Sequence, residues 1–463
     1  MLINEGGAFP GLERSYINQE YVRAIKINNE EKGTVQMDKK QFLDVLSEEL
    51  VVALGCTEPI AVAYAGALAK QNLRESNITA VQVYASGNVL KNAMAVAIPG
   101  TQSCGVAMAV ALGIVAGDAD KNLEVLSGLT AEDIAKAETM VEQGMITVNV
   151  ADTSKKLYIE VCIQTPESSA KVIVADEHTR VALVEADGQI VRTGNHEVLE
   201  GSSEEEARSF LNIDSIWEFI HMVDIEDLGI VKQSIELNRR ISDDGLQNSY
   251  GLEVGKTIKT YVSKGIFGDD FATHAMALTA AASDARMAGS SLPVMSNSGS
   301  GNQGISATMP VVAVGERLQA SQEKIILATT LSHLITIYIK SKFGRLSALC
   351  GATVSGTGAS CGITYLLGGG KSEVRKAIQN MLGNVTGMLC DGAKAGCAMK
   401  VSTCTNAAVQ SAFMAIHGFG IQETEGIIEK DAAYSIDNLC RIGNEGSMEA
   451  DRIILEIMLN KKE

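Results

Sequence analysis

Four cysteines of this 463-residue chain lie in irregular, glycine-rich segments. Cys56 lies in Gly55-Cys-Thr-Glu-Pro59. Cys350 opens Cys350-Gly-Ala-Thr-Val-Ser-Gly-Thr-Gly-Ala-Ser-Cys361, and Cys390 and Cys397 bracket Cys390-Asp-Gly-Ala-Lys-Ala-Gly-Cys397. Glycine lets the backbone turn so that several thiolates can converge, and its N–H can approach cluster sulfides. Three readings fit. Zinc wants four closed ligands, commonly with a Cys-x2–4-Cys pair, and the six-residue gap between Cys390 and Cys397 is not that. Three thiolates that leave one iron of a [4Fe–4S] cluster open would suit catalysis, because an open iron acts as a Lewis acid. The gaps match no familiar ferredoxin pattern. The third reading is small core cysteines in a glycine-rich helical protein.

Other segments carry polar groups that could meet a ligand. Cys56 falls at a break between two helical stretches, just before a helix start. The positive end of that helix would favour a reactive thiolate, and nearby Glu58 would oppose it. Ser296-Asn-Ser-Gly-Ser-Gly-Asn-Gln-Gly304 contains a formal Gly-x-Gly-x-x-Gly. A dinucleotide site is rejected, since Pro293 makes 290–295 a poor strand and 306–342 reads as helix. A nest of backbone N–H groups ahead of a helix, ready for a carboxylate, fits better. Asn297, Ser298, Gly299, Gly301 and Asn302 belong to that nest, and Ser300 could add a donor. Ser86-Gly87-Asn88 follows an expected strand and leads to Lys91 and Asn92, where ligands often sit. Asp284 and Arg286 are also candidates, with an ion pair on or between helices the favoured reading. The six histidines form no metal-spaced cluster.

The elements that must position these groups are mostly helical. Phe42, Val45, Leu46, Leu50, Ala53 and Leu54 follow helical spacing, and a new helix starts at Thr57-Glu58-Pro59. Residues 78–85 read as a strand and 101–144 as helices. Four β-branched runs, 146–150, 157–163, 171–175 and 180–184, imply a small sheet. From 213 onward the pattern is helical, with glycine-rich breaks at 296–304, 351–362 and 368–370. The fold class is therefore α+β, a mostly helical catalytic region with an inserted small α+β sheet subdomain. The expected division is a loosely ordered leader over 1–36, an N-terminal catalytic part over 37–144, the sheet subdomain over 145–200 and a helical cluster-binding domain over 201–463. An acidic linker is expected over 197–206.

Asp+Glu exceed Lys+Arg, for a net charge of −17. Such a chain repels phosphate backbones, so nucleic acid and anionic membrane are poor partners. The longest apolar run, 105–117, is shorter than the roughly 20 residues that span a bilayer. No secretory signal opens the chain. A cytoplasmic location is expected, where disulfides are rare.

Taken in order, Gly55-Cys-Thr-Glu-Pro59, Ser86-Gly-Asn88, Asn297-Ser-Gly-Ser-Gly-Asn-Gln-Gly304, Leu349-Cys-Gly351 and Leu389-Cys-Asp-Gly-Ala-Lys-Ala-Gly-Cys397 resemble the L-cysteine desulfidase family. That family is a relative of the iron–sulfur L-serine dehydratases. The resemblance covers roughly residues 40–460. It implies a carbon–sulfur lyase that holds a [4Fe–4S] cluster and converts L-cysteine to pyruvate, ammonia and hydrogen sulfide without pyridoxal phosphate. Carried over, Cys350, Cys390 and Cys397 are the cluster ligands and Cys56 is the proton acceptor. The segment 296–304 is similar in place to the carboxylate loop of the serine dehydratases, with a different sequence. Cys361 and Cys404 are rivals for a ligand role, while Cys104, Cys162 and Cys440 are assigned to packing. The partner implied is a small amino-acid substrate, and a homo-oligomer is compatible with the reading. An L-serine or L-threonine dehydratase with the same cluster, and a non-catalytic iron–sulfur sensor, are the alternatives.

Overall fold

A computed structural model describes residues 38–101, 103–194, 208–343 and 349–461. The expected leader over 1–36 and the acidic linker over 197–206 lie outside the described residues. The four β-branched runs form strands, numbered here β3 (Ile146–Val150), β4 (Tyr158–Gln164), β5 (Ser169–Ala175) and β6 (Val181–Ala186). Two further strands join them, β2 (Ala80–Ala85) and β7 (Gln189–Thr193), in the order β3-β2-β4-β5-β6-β7. Only the β2–β3 pair is parallel. The sequence reading confined the sheet to 145–200. In the structure β2 fills the second position, so the sheet is built from both sides of residue 145. β7 went unread because all five of its residues are exposed, leaving no alternation to detect.

One face of the sheet presents Val81, Val83, Ile159, Val161, Ile163, Val172 and Val174, all fully buried. It packs against α2 (Thr57–Gln71), with α4 (Val106–Ala116) behind it. α2 is Ala-rich and apolar all round because it is enclosed on every side, which a single-faced amphipathic helix is not. Between these elements lie α1 (Lys39–Glu49), the short strand β1 (Val52–Leu54) and α3 (Gly87–Ala93); α5 (Ala131–Glu142) precedes β3. The helix expected through Leu54 stops at Glu49. Residues 52–54 pair with β8 (Pro293–Met295) instead, so the segment called a poor strand is a three-residue strand after all. Proline is tolerated there at the first position of an edge strand.

The larger body contains α6 (Ile213–Met222), α7 (Gly229–Gln247), α8 (Val254–Ser263), α9 (Phe271–Met287), α10 (Gly301–Arg317), α11 (Gln322–Phe343), α12 (Gly351–Leu366), α13 (Lys371–Val385), α14 (Cys397–Ile416), α15 (Ala432–Arg441) and α16 (Met448–Leu459). No helix among the described residues is long and apolar enough to cross a membrane. Of the expected glycine-rich breaks, the end of 296–304 (from Gly301) and the whole of 351–362 lie inside helices. Their glycines thin the helix surface rather than interrupt it. A Cβ at Gly358 would lie 2.3 Å from the Ser332 carbonyl oxygen of α11, and a Cβ at Gly362 would lie 2.6 Å from that of Ala328. The two central helices therefore lie almost backbone to backbone.

This contact gives a direct test. Gly358→Ala is expected to destabilise the fold by about 1–3 kcal/mol, the usual range for overpacking. Gly229→Ala, where an added Cβ meets nothing within 4 Å, should stay within about 0.5 kcal/mol of wild type. Denaturant unfolding of both variants checks the pair, and equal effects would contradict the close-packed reading.

Candidate functional site

Three helices start with a cysteine. Cys56 is the N-cap of α2, Cys350 the N-cap of α12, and Cys397 the first residue of α14. All three side chains line one cavity of about 120 Å³, together with Cys390. The start of α10 supplies a further wall through Gly299, Ser300, Asn302 and Gln303. Four helix amino ends thus face one small space. Unpaired N–H groups and the aligned peptide dipoles make each such end locally positive. The volume suits a small metabolite and lies below the roughly 300–1,000 Å³ of larger ligand pockets.

The thiol wall is held by backbone pairing. Leu349 and Leu389 form an antiparallel bridge, and the Cys350 N–H donates to the Met388 carbonyl at 2.9 Å. Two cysteines forty residues apart are thereby set side by side. Lys91 of α3 donates to the Cys390 carbonyl at 3.3 Å and pairs with Asp451 of α16 at 2.5 Å. Lys400 donates to the Leu389 carbonyl at 2.7 Å and, with Lys394, pairs with Asp391. Burial acts against ionisation of Asp391, but the two lysines outweigh it and hold the carboxyl at about 2. The Cys397 thiol donates to the Gly392 carbonyl at 3.7 Å.

All nine cysteines are free. Burial, with Cys390 and Cys397 close by, pushes the Cys350 thiol up to about 12, and burial also raises Cys397. Clustered thiols in this setting ionise together only beside a compensating cation, and metal binding deprotonates thiols outright. The donor set therefore fits a thiolate-bound metal cluster. Among the described residues no three His, Cys, Asp or Glu side chains converge as tightly as a single metal ion requires. Ligands of a polynuclear cluster bind different metal atoms and stand further apart. Cys361 is fully buried, donates to the Thr357 carbonyl at 3.3 Å and does not line the cavity. Cys404 is fully buried beside Met388 and also lies off the cavity wall.

Facing the thiols is a polar group centred on Glu58. Its carboxylate accepts from the Cys56 thiol at 3.2 Å and from the Asn92 amide at 2.9 Å. Burial acts to raise the Glu58 carboxyl, but the His178 charge, the Cys56 bond and Arg286 together hold it below its usual range. Burial and Glu58 push the Cys56 thiol well up, against the pull of Arg286. The resting pair is thus a thiol donating to a carboxylate. Burial and Glu58 oppose the thiolate that the helix end would favour.

The remaining expected residues divide. Gly299 and Asn302 face the cavity, and Thr57 donates to the Gly299 carbonyl at 3.0 Å. Asn297 and Ser298 are buried scaffolding. The Asn297 amide donates to His333 Nδ1 at 3.0 Å, which places the imidazole proton on Nε2, facing Ser234 and Thr308. Burial lowers His333 to about 3, so it stays neutral. Ser298 has φ +48° and bonds back to Asn297. Gly301 abuts Arg286, and an added Cβ would lie 2.2 Å from the guanidinium Nε. Ser86, Gly87 and Asn88 line a separate cleft under α16, with the Ser86 hydroxyl donating to the Lys156 carbonyl at 2.8 Å. The same helix reaches the thiol cavity one turn later, through Asn92.

Three charged or titratable cavity residues stand apart from the sequence reading: His178, Arg286 and, from α11, Lys340. His178, in the turn between β5 and β6, is how the sheet reaches the site, and nothing local marks it. Arg286 had been read as half of an ion pair with Asp284. Instead Asp284 accepts from the Gly255 N–H at 3.0 Å, and Arg286 lines the cavity. A charged pair within the Ala-rich run 280–288 was the available signal.

The fold thus gathers four cysteines and the amino ends of four helices around one small cavity. A family model described as serine dehydratase alpha chain matches residues 120–456, which include Cys350, Cys390 and Cys397. The chain belongs to that family, a lyase-type family associated with iron–sulfur chemistry. Relatives of similar length include UPF0597 proteins of Oleidesulfovibrio alaskensis (46% identical; 91% of this chain and 98% of the relative), Shewanella pealeana (44%; 91% and 98%) and Parabacteroides distasonis (43%; 91% and 98%).

Asp284 supplies a pH test. Burial pushes its carboxyl from 3.8 up to about 6, and its Oδ1 has no hydrogen-bond partner among the described residues. A carboxyl raised in this way stabilises the fold only while protonated. That contribution is complete below about pH 4 and is lost as pH rises through about 6. Thermal melting of wild type should therefore fall relative to Asp284→Asn between about pH 4.5 and 7. A pH-independent difference would contradict the raised value.

Proposed function

We propose that the protein catalyses β-elimination of L-cysteine to pyruvate, ammonia and hydrogen sulfide, with a [4Fe–4S] cluster held by Cys350, Cys390 and Cys397. The observation that supports this reading best is the placement of these three thiols on one wall of a small cavity, with Cys56 and Glu58 lining the same space. When bound, such a cluster supplies an open iron that acts as a Lewis acid on the leaving group.

The chain's own residues account for the rest. The substrate carboxylate docks at the amino end of α10, near Gly299 and Asn302. Cys56 takes the α-proton at Sγ after passing its own proton to Glu58 Oε2. The 3.2 Å hydrogen bond is the path for that transfer. Asn92, donating to the other carboxylate oxygen, keeps Glu58 aimed at the thiol. The Cα–Cβ double bond forms as the C–S bond breaks, and sulfide leaves. The enamine then tautomerises, and water releases ammonia and pyruvate. Leu349, Ala352, Ala393 and Val401 share the wall. A wall with these apolar members suits a weakly hydrogen-bonding thiol.

A second reading is L-serine or L-threonine dehydration at the same site, favoured by the description of the matching family. Anaerobic purification followed by iron and sulfide analysis, with cysteine and serine turnover measured on one sample, separates the two. About four iron per chain and sulfide release from L-cysteine are expected. Pyruvate from serine alone would establish the second reading, and no iron after reconstitution would exclude both.

Two substitutions test the roles. Cys390→Ala is expected to lose the cluster absorbance, while Cys361→Ala keeps it. Cys56→Ser and Glu58→Gln should keep the iron and lower kcat by roughly 10²–10⁴, the usual worth of positioned acid–base groups. Full activity in Cys56→Ser would refute the proton-acceptor role.

A further inference from the structure

We propose that Arg286 receives the substrate's α-carboxylate and makes the site selective for small amino acids with a free acid group. The inference deepens the elimination reading and rests on it for the identity of the substrate.

Arg286 lies near the end of α9, whose residues from Ala277 onward are buried. Its side chain is only 3% exposed, yet it lines the thiol cavity. Nε is buried without a hydrogen-bond partner, and no carboxylate among the described residues lies within ion-pair distance of the guanidinium. Asp284, two residues earlier, is turned to the Gly255 N–H. Glu58 is engaged by Cys56 and Asn92. Burial of this cation is opposed by desolvation and eased by the nearby Glu58 charge, and an anion entering the cavity would offset the remainder.

The neighbouring backbone points to the same ligand. Position 301 is glycine, and a Cβ there would collide with Nε. The guanidinium is thus seated directly against the start of α10, a 17-residue helix whose first turn lines the same cavity. A planar fork beside a helix amino end matches a carboxylate, which accepts two parallel N–H bonds. The cavity of about 120 Å³ limits the ligand to a few heavy atoms beyond that group. Charge and size together select a small α-amino acid over an amide, an ester or a peptide.

The test uses L-alanine, which lacks a leaving group, and L-alaninamide, which lacks the carboxylate. Each is titrated calorimetrically into the anaerobically purified holoprotein. Wild type is expected to bind L-alanine at least about tenfold more tightly than the amide. Arg286→Met should lose that preference by weakening L-alanine alone. Arg286→Lys, which keeps the charge without the fork, should fall between and raise KM for the turned-over substrate more than it lowers kcat. Both variants are checked for folding by thermal melting, and the lysine variant carries the test if the methionine variant does not fold. Equal affinity for acid and amide in wild type, no binding of L-alanine, or equal loss of both ligands in the variants would overturn the assignment. The expected binding pattern without sulfide release from L-cysteine would leave Arg286 in place and refute the elimination reading instead.

Discussion

Everything at this site depends on one electrostatic arrangement: the amino ends of α2, α10, α12 and α14 meet around one small cavity. Each end carries roughly half a positive charge. Arg286 adds a full one. Such a space favours anionic contents, whether thiolates, a cluster bound by them or a carboxylate. Each cysteine placed at a helix start sits where ionisation is helped most. Glu58 works the other way. Burial first, and then the Glu58 charge beside it, push the Cys56 thiol up, and the hydrogen bond to Glu58 sets it apart from the thiols across the cavity.

Helix ends converge only if the helix bodies can approach, and small residues make this possible. Gly358 and Gly362 let α12 lie against the α11 backbone. On the other side Ala-rich α2 is wedged between α4 and the sheet, where bulkier side chains would not fit. The sheet looks peripheral by topology, yet its β5–β6 turn delivers His178 to the same cavity. Architecture and chemistry are therefore coupled through packing density, with little contribution from large aromatic side chains.

The strands of the sheet were legible in the sequence because a half-buried sheet alternates; Val81 and Val83 or Ile159 and Val161 announce themselves. β7 was not, since it buries nothing. The thiol set was legible through the glycine-rich segments that hold it, and the start of α10 through its serine and asparagine run. Helix glycines were misread as breaks, because sequence does not distinguish a glycine that turns the chain from one that makes room for a neighbour. Ser86, Gly87 and Asn88 were placed one helical turn from the residue that faces the cavity, Asn92. His178 and Arg286 depend on contacts across distant segments and leave no local periodicity. Arg286 differs from a surface arginine only in what surrounds it.

Lys91 joins the Cys390 carbonyl to Asp451 across sequence separations of 299 and 360 residues. During synthesis the lysine leaves the ribosome long before either partner exists, by tens of seconds at roughly 5–20 residues per second. The sheet body around α2 and α3 can assemble in that interval, with a lysine at its margin still waiting for its counterion. Only the arrival of α16 closes the ring of contacts behind the Cys390 loop. A helix made more than 350 residues after Lys91 thus locks the thiol wall, and the order of birth of the segments places completion of the cavity after the sheet body has formed.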